Sequence, residues 1–305
     1  MMLNPILAFS ATRRMRSFRT MLILVAYVVL MLAIAALILA PFMNGNVMMG
    51  DMNRGAYCYA ALMALQFALI VLIAPAMTSG AIAGERDRQT LELLLVTQTG
   101  SLRIVIDKLL ESFAMLALLI LSGFPVMCLC LLTGGVTMGQ IMTGEMYLLA
   151  MAFGAASVGL FASALGRTTV ISTVIAYLLI LAVATVTSLP PVLGYPQRVT
   201  DVLYEAKKYA VLTSSGAAGM ISPLFLLNPG TGLLALAQSQ TQFMDPVMEY
   251  RGWGRILATW MILDRIGWDR LTLICSGAVT LAGAALTGIS SLLVRPRERK
   301  VRHGK

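Results

Sequence analysis

Six stretches of this 305-residue chain are apolar for long enough to cross a lipid bilayer. The hydrocarbon core of a membrane is about 30 Å thick and a helix rises about 1.5 Å per residue, so a crossing needs about 20 apolar residues. Residues 21–41, 57–83, 112–133, 146–166, 170–190 and 271–294 meet that requirement. Only 12% of the chain is charged, against about 25% in a soluble domain. Arg13, Arg14, Arg16 and Arg19 precede the first run, as they would in a signal peptide. That run exceeds the roughly 7–15 residues of a secretory core, so it reads as an uncleaved first span. The expectation is an all-α integral membrane protein, with one transmembrane domain over residues 1–305 containing six transmembrane helices.

The net charge of +9 is distributed as a membrane requires. Lys and Arg cluster in residues 1–20, 84–111 and 295–305, whereas the short loop 42–56 holds only Arg54 and 134–145 holds none. Basic residues near span ends mark the cytoplasmic side, which places both termini inside and the basic segments against anionic lipid. No aromatic-basic stripe suited to stacking bases is present, so nucleic acid is not an expected partner. The long loop 191–270 then lies outside. Within it, residues 217–238 are apolar but contain Pro223, Pro229, Gly230 and Gly232, which interrupt helical hydrogen bonding. A seventh crossing there would put the basic tail outside, so a re-entrant outer segment before the last span is expected instead.

Catalytic chemistry is poorly supplied. The only histidine is His303, so neither a Ser-His pair nor an H-E-x-x-H metal site can form in the spans. No span holds a pair of aspartates, and no G-x-x-x-x-G-K-[ST] phosphate loop occurs. The expectation is no enzyme, with no cofactor or metal on this chain. Met43, Met48, Met49 and Met52 crowd one outer loop and would suit Cu(I), but the chain has 21 methionines and Met commonly fills apolar gaps. Cys58, Cys128, Cys130 and Cys275 lie in apolar runs and read as packing residues. The spans as drawn carry no acid or base in their middles, with Glu111 and Arg167 at edges, which argues against an ion-coupled pump. Small residues recur every fourth position at Ser276, Thr280, Ala284 and Gly288, and at Ala155, Gly159 and Ser163, the pattern of closely packed helices in lipid.

One segment does not fit a simple bundle. Connections between bundled helices take about 2–8 residues, yet residues 84–108 form a long charged insert opening with Glu85-Arg86-Asp87-Arg88. Arg86 to Thr97 is rich in helix formers, with Leu91, Leu94 and Leu95 on one face. Gly100 suits a helix end and Ser101 the start of a second helix that runs into span three. The insert therefore reads as a cytoplasmic helical hairpin with an apolar face and a polar head. A helix resting on lipid and a helix docking on another protein are both compatible with these residues.

The pattern G-E-R-D-x-x-T-L-E-L-L-L-x-T followed by S-x-x-I-V-x-x-K-L-L resembles the segment between spans two and three of ATP-binding-cassette (ABC) exporter permeases of the type-2 family. Residues 4–20, "NPILAFSATRRMRSFRT", are similar to that family's N-terminal interfacial helix, assigned here to residues 1–20. The resemblance implies the membrane subunit of an exporter in the plasma (inner) membrane, paired with a second permease chain, identical or not. It also implies two copies of a separate ATPase subunit that carry the ATP and Mg. The segment would be a coupling helix, with Glu85, Arg86, Asp87, Arg88, Thr90, Leu91 and Glu92 contacting the ATPase. The loop 191–270 is longer than in the shorter family members. A relay that passes ATP-driven motion to an outer partner without transport is the alternative, and an intramembrane enzyme a weaker one.

Overall fold

The computed structural model describes residues 18–43, 54–87, 89, 101–193, 228–241 and 268–294. Among the described residues there are eight helices and no strand. They are α1 (Phe18–Met43), α2 (Arg54–Thr78), α3 (Gly80–Asp87), α4 (Ser101–Thr133), α5 (Met138–Leu165), α6 (Thr169–Leu193), α7 (Pro229–Thr241) and α8 (Trp268–Val294). Among the described residues six helical stretches are long and apolar enough to cross a membrane: Met21–Ile38, Cys58–Asp87, Leu102–Leu132, Met138–Leu165, Thr169–Thr187 and Arg270–Val294. The chain is a multi-pass membrane protein. The expected interfacial helix at residues 1–20 lies, up to residue 17, outside the described residues, as do the Met-rich loop beyond Met43 and residues 194–227.

The bundle is built around α5, which packs on α8, α2, α4 and α6. Its buried residues run right around it, from Ile141, Gly144 and Tyr147 to Leu160 and Ser163, as expected for a helix enclosed by others. By contrast α1 and α6 turn Leu22, Val25, Val29, Leu178, Leu181 and Val186 outward. Such a surface would be untenable in water and is ordinary against lipid tails.

One helix begins where sequence periodicity alone did not place it. The turn after α4 uses Gly134 and Gly135 at φ of 80° and 82°, a backbone that only glycine adopts without strain. Thr137 then caps α5: its side chain accepts the Gln140 N–H at 3.3 Å, and Gln140 Oε1 accepts the Thr137 N–H at 2.7 Å. This reciprocal pair starts the helix at Met138 rather than at 146. The consequence is a correction: Glu145 belongs to a span, so the spans are not free of charge in their interiors. Glu111 likewise sits well inside α4, which runs unbroken from Ser101 to Thr133.

The small-residue stripe expected to pack α8 is also corrected. Gly288 has open space around it and Ala284 is exposed. The face that meets α5 is displaced by one residue, with Val279 against Gly154 and Gly283 against Ser157 and Phe153. The stripe on α5 does pack. Gly159 lies against Pro75 and Thr78, where a side chain would collide with the Thr78 hydroxyl.

α7 is 13 residues, about 20 Å, too short to cross the core. Asn228 organises its start, accepting the Gly230 N–H on Oδ1 at 2.9 Å and the Thr231 hydroxyl on its carbonyl at 2.9 Å. Tyr147 on α5 donates to the Pro229 carbonyl, so α7 is tied into the bundle at its first residue.

Candidate functional site

The span through α2 and α3 breaks at Ser79, four residues after Pro75. The first N–H groups of any helix lack intrahelical partners. In α3 Ile82 N–H, one of these, donates to Ser163 Oγ on α5 at 2.9 Å, and Ala83 N–H donates to the same oxygen at 2.9 Å. At the break itself Ser79 Oγ lies 2.7 Å from Thr173 Oγ1 on α6. Thr173 already donates to Thr169 O, which leaves Ser79 as the donor.

Glu85, Arg86 and Asp87 close the other end of α3, and each reaches a different helix. Glu85 Oε1 receives Lys108 Nζ of α4 at 3.1 Å, and the same ammonium lies 3.6 Å from Glu111. Arg86 Nη1 donates to Gly166 O at 2.7 Å and Nη2 to Ala164 O at 3.5 Å. Those carbonyls end α5, where a guanidinium complements both the unpaired acceptors and the negative end of the helix dipole. Asp87 Oδ2 accepts the Thr169 N–H at 2.9 Å, at the start of α6, where a carboxylate complements the positive end. Thr168 adds a weaker cap, its hydroxyl accepting the Ile171 N–H at 3.4 Å. Two consecutive residues of opposite charge thus grip the two ends of one tight turn, residues 166–168.

The chain leaves this joint through Gln89, whose φ of 57° is left-handed and whose N–H donates to Arg86 O at 3.1 Å. A helix starting at Arg86 was expected from composition. Instead, the charged residues complete α3 and the chain turns, because Arg86 and Asp87 are held by the ends of α5 and α6. The polar head was expected to be available to another protein. Of the seven residues assigned to a partner contact, Glu85, Arg86 and Asp87 are brought together and have partners within the chain. Arg88, Thr90, Leu91 and Glu92 lie outside the described residues, as does the hairpin over residues 90–100.

The partners of this joint escape sequence reading because most are backbone groups. Gly166 O, Ala164 O and Thr169 N carry no residue-type signal. Ser163 was visible only as a small residue. Lys108, on the expected second helix, was legible as a charge but not as the partner of Glu85.

A second polar cluster lies across α2, α4 and α5. Gln66 Nε2 donates to Glu145 Oε2 and to Ile120 O, both at 3.4 Å, and Tyr59 donates to Gln140 O at 3.1 Å. Sequence reasoning missed it by treating Glu145 as loop. The available signal was Thr137-x-x-Gln140, the pattern of a helix start. Nearby, Cys58 and Cys130 are free thiols buried in the same core. No group of three or more metal-ligating His, Cys, Asp or Glu side chains occurs among the described residues.

No protein-family profile matches this chain, and a search of curated proteins finds no relative.

Proposed function

We propose that this chain is the membrane-spanning permease of an ATP-driven exporter of the type-2 ABC family. In this reading it couples ATP hydrolysis on a separate ATPase subunit to substrate movement. The observation that carries it is the joint at Glu85, Arg86 and Asp87, at the root of the segment that resembles a coupling helix. An ATPase moving that segment would pull on α3, and α3 is fastened to α4 by Lys108, to the end of α5 by Arg86 and to the start of α6 by Asp87. A push on a loop anchored by one backbone connection would be lost locally, whereas a push on this joint reaches three further helices. Binding of ATP would drive the change only insofar as the ATPase binds one arrangement better than another.

The working assembly in this reading is two six-span chains with two ATPase subunits, in the plasma (inner) membrane with both termini cytoplasmic. ATP and Mg belong to the ATPase. Arg88, Thr90, Leu91 and Glu92 provide the outward contact, and Glu85, Arg86 and Asp87 pass its motion on.

The test is purification of a tagged chain from its native membrane, followed by identification of bound polypeptides and measurement of ATP turnover. Retention of a protein with a phosphate-binding loop, and ATP hydrolysis only when that protein is present, is the expected result. A pure chain that hydrolyses ATP by itself, or one that retains no such protein under mild extraction, overturns the reading.

A further inference from the structure

The cluster around Glu145 has more oxygen atoms than hydrogen-bond partners. Glu145 is 7% exposed, Tyr27 3% and Gln66 fully buried. Glu145 Oε1, Gln66 Oε1 and Tyr27 OH are buried and make no hydrogen bond. Two of these atoms are acceptors and the third is a hydroxyl, so what they lack is chiefly a donor or a positive charge.

They share one place in the bundle. Gln66 reaches both Glu145 and the Ile120 carbonyl. A side-chain carbon on Gly123 of α4 would lie 3.0 Å from Tyr27 OH and 3.2 Å from Gln66 Nε2, so the polar ends of the Tyr27 and Gln66 side chains meet in the space that this glycine leaves. Gly144, beside Glu145, leaves corresponding room for the Tyr59 hydroxyl and for Met63. At 1.5 Å per residue, Glu145 stands about 10 Å from the Met138 end of a helix about 42 Å long. With that helix centred on a core of about 30 Å, the Cα of Glu145 falls about 4 Å inside the hydrocarbon.

Among the described residues, the surrounding groups supply no counter-charge. Among the described residues, Tyr27 of α1 and Tyr59 of α2 are titratable side chains close enough to feel the carboxyl's charge. Cys130 of α4 faces Cys58 and Tyr59. Cys275 of α8 faces Thr231 and Tyr147, and Tyr177 of α6 donates to Leu72 O, away from the cluster. Among the described residues no Lys or Arg is ion-paired with Glu145; Lys108 is held by Glu85 and Glu111. An isolated carboxylate in so poor a solvent is costly, and intramembrane carboxyl groups characteristically sit where charge is bound or moved.

We propose that Glu145, Gln66 and Tyr27 form a binding site for a single positive charge, a proton or an alkali cation, between α1, α2, α4 and α5. The oxygen-only donor set selects hard cations over soft metals. One carboxylate balances one charge, and a divalent ion would leave a net positive charge in the low-dielectric interior. An occupant joins side chains from separate helices, so occupancy stabilises this arrangement of them by mass action. The inference is independent of the exporter reading.

The experiment is thermal unfolding of the purified full chain in detergent, for wild type, Glu145→Gln and Tyr27→Phe. Choline is replaced by sodium or potassium at constant ionic strength, and pH is varied separately. A rise in Tm of ~2 °C or more with sodium or potassium, absent in Glu145→Gln, identifies an alkali cation. A pH-dependent Tm without an alkali effect identifies the proton when Glu145→Gln removes both that dependence and the infrared carboxyl band of the wild type. Tyr27→Phe keeps the ring and should shift the midpoint of either response roughly 2- to 10-fold, the range for one lost hydrogen bond. Identical cation and pH responses in wild type and Glu145→Gln, as for a site that holds only water, overturn the proposal. If Glu145→Gln does not fold, an unchanged midpoint in Tyr27→Phe overturns it.

Discussion

Asp87 Oδ2 accepts the backbone N–H of Thr169 at 2.9 Å, joining the last residue of α3 to the first of α6 across 82 positions of sequence. With Arg86 on the α5 carbonyls, the two charges hold the α5–α6 turn between them. Both contacts are side chain to helix terminus, so they depend on the direction of the helices and not on the identity of a partner side chain. The Ser163 hydroxyl makes the same kind of link at the other end of α3 and the Ser79 hydroxyl adds a contact with that of Thr173, so the short helix is fixed to its neighbours at both ends.

Removing the cap should loosen α6 at its start. Asp87→Ala is expected to cost about 0.5–2 kcal/mol, toward the low end because the site is exposed. Asp87→Asn, which keeps an acceptor and loses only the charge, should cost about 0.3–1 kcal/mol. Hydrogen exchange resolves the effect: the amides of Thr169 to Ser172 should exchange faster in Asp87→Ala, while those in the middle of α5 do not change. Uniform acceleration through the bundle would mean that Asp87 is no local cap.

Ser163 carries more of the joint than its size suggests. In Ser163→Ala the N–H groups of Ile82 and Ala83 lose a shared acceptor at 2.9 Å in a buried position. Each buried unsatisfied donor costs about 1–3 kcal/mol, so this methyl-sized change should rank among the more damaging in the span. Ser163→Thr keeps the oxygen and should retain more stability than Ser163→Ala when thermal unfolding is compared. The reverse order would mean that space, not hydrogen bonding, governs the position.

The six spans were legible because bilayer thickness imposes a length and a composition that need no knowledge of tertiary contacts. The start of α5 was not, since hydropathy falls through Gln140, Thr143 and Glu145 while the Thr137 capping pair still begins a helix there. The stripe on α8 had the right spacing and the wrong register, because Cys275, Val279 and Gly283 turn to the core while Ser276, Thr280 and Ala284 lie one residue on. Periodicity gives a face but not its direction when every residue is small or apolar. For the charged segment, sequence marked Glu85, Arg86 and Asp87 as unusual, while their backbone partners were invisible by residue type.

Gly159 allows the break in the second span to sit against α5. A side chain there would run into Thr78 Oγ1 and stand 2.9 Å from Thr78 Cβ and 3.6 Å from Pro75 Cα. Gly159→Ala should destabilise by about 1–3 kcal/mol through overpacking. Thr78→Ala in the same chain should restore only part of this, because Cβ remains too close, and Thr78→Gly should restore more of the packing. Unfolding midpoints of the four proteins check the order; full recovery with Thr78→Ala would place the clash in the hydroxyl alone.

Glu85 allows the proposed docking to be separated from the internal joint. Reversing both Glu85 and Asp87 to Lys is a poor discriminator, since it breaks the α6 cap and the Lys108 pair whether or not an ATPase docks. Neutral changes are cleaner. Lys108 serves two carboxylates, at 3.1 and 3.6 Å, so Lys108→Met should destabilise more than Glu85→Gln. The Glu85–Lys108 pair is 28% and 21% exposed, and a double-mutant cycle should give a coupling of about 0.2–1 kcal/mol. Retention of the ATPase should follow a different order. If the exposed part of the Glu85 carboxylate also meets the partner, Glu85→Gln loses more bound ATPase than Lys108→Met despite being the more stable protein. The double variant should then match Glu85→Gln in retention. Retention that simply follows stability would remove Glu85 from the docking surface and leave it as a link between α3 and α4.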